Sequence, residues 1–163
     1  MSLDPLGEVG QLFGSIDQDG NTLLHCAARD GDADMVELLL GKGAPIDAVN
    51  TGKNTPLHLA AWGGHSSVVE VLLRRGASAE VMDRDNDTAL HLAAWKGHTG
   101  VVEVLLEKDA SIEAMRKDNC TPLHVAARWG HLGTAELLLG KGALIEKPTV
   151  LHYMLPHSGV ILE

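Results

Sequence analysis

Aromatic side chains are scarce in this chain: its 163 residues include three Trp, one Tyr and one Phe, 3% in all, although 45% of the residues are hydrophobic. A core without rings must be built from Leu, Val, Ile and Ala, which suits close-packed helices and disfavours an all-β sandwich. Basic residues are also few, 13 against 22 acidic, for a net charge of −9. That balance excludes the electropositive footprint of a nucleic-acid-binding protein. Two cysteines are too few for a disulfide framework. No stretch approaches the ~20 consecutive apolar residues of a membrane helix, and MSLDPLGEVG has neither the basic nor the apolar region of a signal peptide. The expectation is a soluble intracellular protein, cytoplasmic and/or nuclear, of one domain.

What the chain does have is internal repetition. Thr22, Thr55, Thr88 and Thr121 recur at one constant interval and open the phrases TLLHCAARDG, TPLHLAAWGG, TALHLAAWKG and TPLHVAARWG. Each is followed by an apolar run at helical spacing (MVELLL, VVEVLL, VVEVLL, TAELLL) and then by a short break. Thr is suited to cap a helix, and Pro56 and Pro122 fall at the first helical position, where a missing N–H costs nothing. The Ala pair keeps the first helix thin, and Gly31, Gly64, Gly97 and Gly130 end it. Gly43, Gly76 and Gly142 end the second helix in the left-handed region, with Asp109 as a mildly strained substitute in the third unit. A unit with an apolar face on each side cannot bury both alone, so the units must stack.

These phrases resemble the ankyrin repeat family, whose Thr-Pro-Leu-His-x-Ala-Ala signature stands almost unchanged at Thr55 to Ala61 and Thr121 to Ala127. The resemblance implies an all-α solenoid of helix–turn–helix units with projecting β-turn fingers. The expected organisation is a half-repeat cap over 1–16, full repeats over 17–49, 50–82, 83–115 and 116–148, and a degenerate repeat or cap over 149–163. A chain that is a fragment of something longer is the alternative for that last segment. Within the fingers, Gly20, Asn86 and Asn119 suit the positive φ expected two residues before each Thr. Lys53 does not, and with Gly52 beside it that turn is expected to shift by one residue.

Nine histidines invite a metal hypothesis, but seven are fixed by the repeat: His25, His58, His91 and His124 in the opening phrase, and His65, His98 and His131 before the second helix. Units spaced ~10 Å apart cannot converge three or four of them on one ion ~2 Å away. The resemblance implies instead that the first set hydrogen-bonds between neighbouring turns. His152 and His157 stay unexplained. No nucleophile elbow, metalloprotease pair or phosphate loop is present, so neither catalysis nor a cofactor is expected. Cys26 and Cys120, three units or roughly 30 Å apart, cannot pair. Cys26 reads as half-buried packing, whereas Cys120, in a finger, is expected to be exposed and open to alkylation.

The three tryptophans are more informative. Trp62 and Trp95 follow their Thr by seven residues and Trp129 by eight, at the outer end of the first helix. The resemblance implies that this place faces the concave groove. Arg29, Lys96 and Arg128 share the two rows, and the fingers extend the surface through Met82, Arg84, Asp85 and Asp87 and through Met115, Lys117, Asp118 and Cys120. Exposed aromatics beside Arg have the composition of binding hot spots; a Trp lying flat as packing between repeats is the alternative. The resulting expectation is a non-catalytic protein–protein interaction module whose partner carries an apolar or basic stripe. The second and third units agree at most places when Thr55 to Met82 is laid on Thr88 to Met115, so an engineered or consensus-like scaffold with no natural ligand is the competing reading.

Overall fold

The computed structural model of the chain describes residue 14 and residues 16–145. The expected half repeat before residue 17 therefore lies almost wholly outside the described residues, and the shortened unit after 148, with His152 and His157, lies entirely outside them. The described residues form eight helices in four pairs: α1 (Leu23–Asp30) and α2 (Ala33–Gly41), α3 (Pro56–Gly63) and α4 (Ser66–Arg74), α5 (Ala89–Lys96) and α6 (Thr99–Glu107), α7 (Pro122–Arg128) and α8 (Leu132–Gly140). Among the described residues there is no strand, and no helix is long and apolar enough to cross a membrane.

Each first helix starts the same way. Thr22, Thr55, Thr88 and Thr121 sit at the N-cap in extended conformation. The histidine three residues on takes the part that Glu or Gln plays in an ordinary capping box. Its Nδ1 accepts the Thr backbone N–H at 3.1 to 3.3 Å. With Nδ1 occupied as an acceptor, the network assigns the proton to Nε2. That nitrogen donates across to the next finger, from His25 to the Asn54 carbonyl (2.9 Å), from His58 to Asp87 (3.1 Å) and from His91 to Cys120 (3.1 Å).

A second ladder runs the other way. His65, His98 and His131 donate from Nε2 to the carbonyls of Arg29, Trp62 and Trp95 in the preceding unit. Their rings lie over Gly31, Gly64 and Gly97, where a Cβ would stand within 2.8 Å of imidazole atoms. All three glycines also hold positive φ as helix caps. Two separate demands therefore select glycine there.

The first helices form one layer and the second helices another, unit against unit. Leu24, Leu57, Leu90 and Leu123 are fully buried, and Ala28, Ala61 and Ala94 let the first helices approach closely. Val36, Val69 and Val102 face them from the second helices. The first helices pack against one another more extensively than the second. On the opposite edge Asp47, Glu80 and Glu113 accept the backbone N–H groups of Ser78, Ser111 and Leu144, again one unit on.

Two expectations need correction here. Lys53 adopts φ +61° and its N–H bonds to the Asn50 carbonyl at 2.9 Å, matching Asn86 and Asn119, so the second finger keeps its register. The pattern of the finger hydrogen bonds outweighs the ~1 kcal/mol that a left-handed non-glycine residue costs. Cys120 is buried rather than exposed, because the place before the capping Thr lies beneath the finger, and burial pushes its thiol pKa up. Cys26 is half-buried as expected. Asp109 does take the left-handed cap, at φ +62°, where Gly43, Gly76 and Gly142 stand in the other units. Asp109→Gly is therefore expected to raise stability by roughly 0.5–1 kcal/mol, read as a higher urea midpoint with an unchanged slope. A lower midpoint would refute strain at that cap.

Candidate functional site

The last turn of each first helix projects side chains from the first-helix layer, and the second histidine ladder fixes the backbone there: the carbonyls it holds are those of Arg29, Trp62 and Trp95. On this anchored edge the three tryptophans meet. Trp62 and Trp95 pack edge to face with centroids 5.5 Å apart, and Trp95 and Trp129 stack at 5.6 Å with planes 25° apart. Trp129 belongs to the neighbouring row but reaches Trp95 because its unit follows directly. Trp62 is 41% and Trp129 53% exposed, while Trp95 between them is half-buried. The rings thus form one continuous apolar strip with both ends open to solvent.

Cations border the strip. The Lys96 ammonium stands 4.5 Å above the Trp62 ring and the Arg116 guanidinium 5.8 Å from that of Trp95, both within cation–π range. Trp95, Trp129, Arg116, Asp118, Val125 and Arg128 line a cleft of about 210 Å³, with Cys120 at its inner side. Arg29, in the row of Trp62 and Trp95, pairs with Asp30 at 3.1 Å instead of joining the cluster. Met82, Arg84, Asp85, Met115 and Lys117 are exposed along the fingers, with Lys117 3.4 Å from Asp85.

Asp87 does not belong to that exposed set. It is 2% exposed, at the same covered place as Asn21 and Cys120, and its Oδ1 lies 3.4 Å from Arg116 Nε without a hydrogen bond. Burial pushes its carboxyl pKa up to about 6, against the pull of Arg116.

Arg116 was not among the expected site residues. In the other fingers its place is held by Asp17, Asn50 and Asp83, whose Oδ1 atoms each accept two finger N–H groups. An arginine has no acceptor, so in the fourth finger Asp118 accepts the Cys120 N–H instead. Arg116 is thereby released to lie against Trp95. The signal was legible as a charge reversal at a fixed place of the repeat.

Among the described residues no group of three or more His, Cys, Asp or Glu is placed to hold a metal ion. The histidines are engaged as described above, and burial holds His25, His58 and His91 below the usual imidazole range, His91 at about 4. What the arrangement offers is a contact surface. A family model described as ankyrin repeats in three copies matches residues 6–83 and 64–149. No curated protein matches the chain.

Proposed function

The chain belongs to the ankyrin repeat family, and from that premise we propose that it is a non-catalytic protein–protein interaction module that binds its partner through the concave groove and finger tips. Family members serve generally as protein-binding modules. The observation that carries the proposal for this chain is the continuous Trp62–Trp95–Trp129 strip, open at both ends and bordered by Lys96 and Arg116. Rings fixed in place on a rigid stack lose little freedom when a partner covers them, so their burial goes largely into affinity. The partner presents apolar residues to the strip and basic residues to exposed finger carboxylates such as Asp19 and Asp85. Arg29, Met82, Arg84, Met115, Lys117 and Arg128 complete the proposed surface. Asp87 supports it from below.

Acrylamide quenching of tryptophan fluorescence tests the premise directly. Trp62 and Trp129 are expected to be quenched in the folded protein and Trp95 much less. Equal protection of all three in single-Trp variants would remove the apolar anchor. Trp62→Ala and Trp129→Ala, which truncate half-exposed rings, are expected to weaken a bound partner at least tenfold, about 1.4 kcal/mol or more each, while changing the melting temperature little.

A further inference from the structure

The cleft of about 210 Å³ beside the tryptophan strip, at the junction of the third and fourth units, is walled largely by flat and apolar groups. Trp95 and Trp129 line it with their planes only 25° apart, and the buried Val125 and Cys120 line it as well. Burial pushes the Cys120 thiol pKa up, so its sulfur enters the lining as an uncharged, polarisable atom.

The charged groups of the cleft already have partners. Arg116 Nε stands between Asp87 Oδ1 at 3.4 Å and Asp118 Oδ1 at 3.3 Å, so two carboxylates flank this one guanidinium. Arg128 is itself engaged. An anion entering the cleft meets Asp87 and Asp118 beside Arg116, and a cation meets the guanidiniums. Either one sets like charges close together where water is partly excluded. The occupant that this balance admits is uncharged.

Size and shape narrow it further. The volume lies below the ~300–1,000 Å³ of small-molecule sites and above the ~150 Å³ in which a benzene ring is held, which matches one large side chain. Two nearly parallel indoles favour a flat occupant over a branched aliphatic one, because stacked rings gain more than their buried area supplies. The Arg116 guanidinium, 5.8 Å from the Trp95 centroid, already lies against one ring, and a second ring in the cleft meets the same cation.

We propose that the cleft beside Trp95 and Trp129 receives one aromatic side chain of the partner, a Phe, Tyr or Trp stacked on the indoles and against the Arg116 guanidinium. The inference rests on the groove reading above and deepens it. It places the partner's anchor at the junction of the third and fourth units, away from the Trp62 end of the strip, where the Lys96 ammonium stands above the ring.

The test is selection of a random peptide library displayed on phage against the full chain, followed by binding titrations of the selected peptides. Trp62 does not line the cleft, so loss of affinity with Trp62→Ala reads the groove and loss with Trp129→Ala reads the cleft. Peptides that lose affinity with Trp62→Ala are expected to share one aromatic residue at a fixed place. Its replacement by Leu is expected to weaken binding about 2- to 10-fold, and by Ala, Glu or Lys about 10- to 100-fold. In Trp129→Ala the replacement by Leu is expected to cost less than about twofold, because the stacking partner is gone. Circular dichroism melting checks that this variant folds; should it not, the peptide substitutions against the wild type decide the matter. Peptides that need Trp62 but share no aromatic residue, that bind as well with Glu or Lys in its place, or that pay the full cost of Leu in Trp129→Ala would overturn the pocket and leave the groove reading standing. A selection that yields no peptide sensitive to Trp62→Ala or Trp129→Ala would overturn both.

Discussion

His91→Ala is expected to lower the unfolding free energy by about 3–5 kcal/mol, a large part of the ~5–15 kcal/mol available to a domain of this size. The ring is completely buried. It accepts the Thr88 backbone N–H at 3.2 Å, meets the Thr88 hydroxyl at 3.0 Å and donates to the Cys120 carbonyl at 3.1 Å. Alanine leaves a buried donor and a buried acceptor without partners, at roughly 1–3 kcal/mol each, and adds the cost of an unfilled volume. The loss falls on both the cap of α5 and the junction between the third and fourth units. Urea denaturation monitored by circular dichroism reads it. A loss under ~1 kcal/mol, the size of one ordinary hydrogen bond, would mean that the imidazole is not what joins these units.

Acid is expected to act on the same network, with an opposing contribution from Asp87. His91 titrates near 4 in the folded chain and near 6.5 unfolded. Its contribution is complete above pH 6.5 and is lost as the pH falls toward 4, about 3 kcal/mol in all. His25 and His58 act in the same direction. Asp87 is raised from 3.8 to about 6, so its contribution is present below pH 3.8 and is lost as the pH rises toward 6, again about 3 kcal/mol. Between pH 4 and 6 the two nearly offset each other, and the wild type softens only gradually on acidification. Asp87→Asn removes the compensation. The variant is expected to lose about 3 kcal/mol more than the wild type between pH 6.5 and 4. At pH 7 it is expected to be the more stable of the two by up to about 3 kcal/mol, because it lacks the buried charge, and to converge with the wild type near pH 4; Asn21 and Asn54 occupy the same place in the first two units and Asp87 Oδ1 has no hydrogen bond to forfeit. Urea midpoints measured across this range decide it, and parallel curves for the two proteins would refute a titrating Asp87.

The architecture was legible because its causes are local and recur. Thr before a thin Ala-rich helix, Gly at its end and Val/Leu at helical spacing act within one unit, and four copies average out any single departure. The placement of the tryptophans followed from the same register. What escaped it depends on contacts between units. Cys120 and Asp87 look like finger residues by position, yet the place before the capping Thr is buried in three of the four units, as the 6% exposure of Asn21 also attests, and half-buried at Asn54 in the other. Lys53 by its own preference disfavours the turn it occupies, and the finger hydrogen bonds outweigh that preference. Arg116 matters through Trp95 and Asp87, both of which belong to the unit before its own, and no periodicity within a unit discloses such a meeting. The candidate site was therefore visible as a row of places, and its contacts emerged only from which neighbours fill them.

The two histidine ladders have a consequence for how such a chain changes length. At each of the junctions between the first and second, second and third, and third and fourth units, one imidazole is lent forward and one backward: His25 with His65, His58 with His98, His91 with His131. Every acceptor is a backbone carbonyl, indifferent to which side chain its residue bears. Copying or excising a block one repeat long therefore recreates the same reciprocal seam on both sides of the splice. The stack is modular in its joints: the seams are made by histidines and backbone carbonyls, and the Trp, Arg and Met side chains take no part in them.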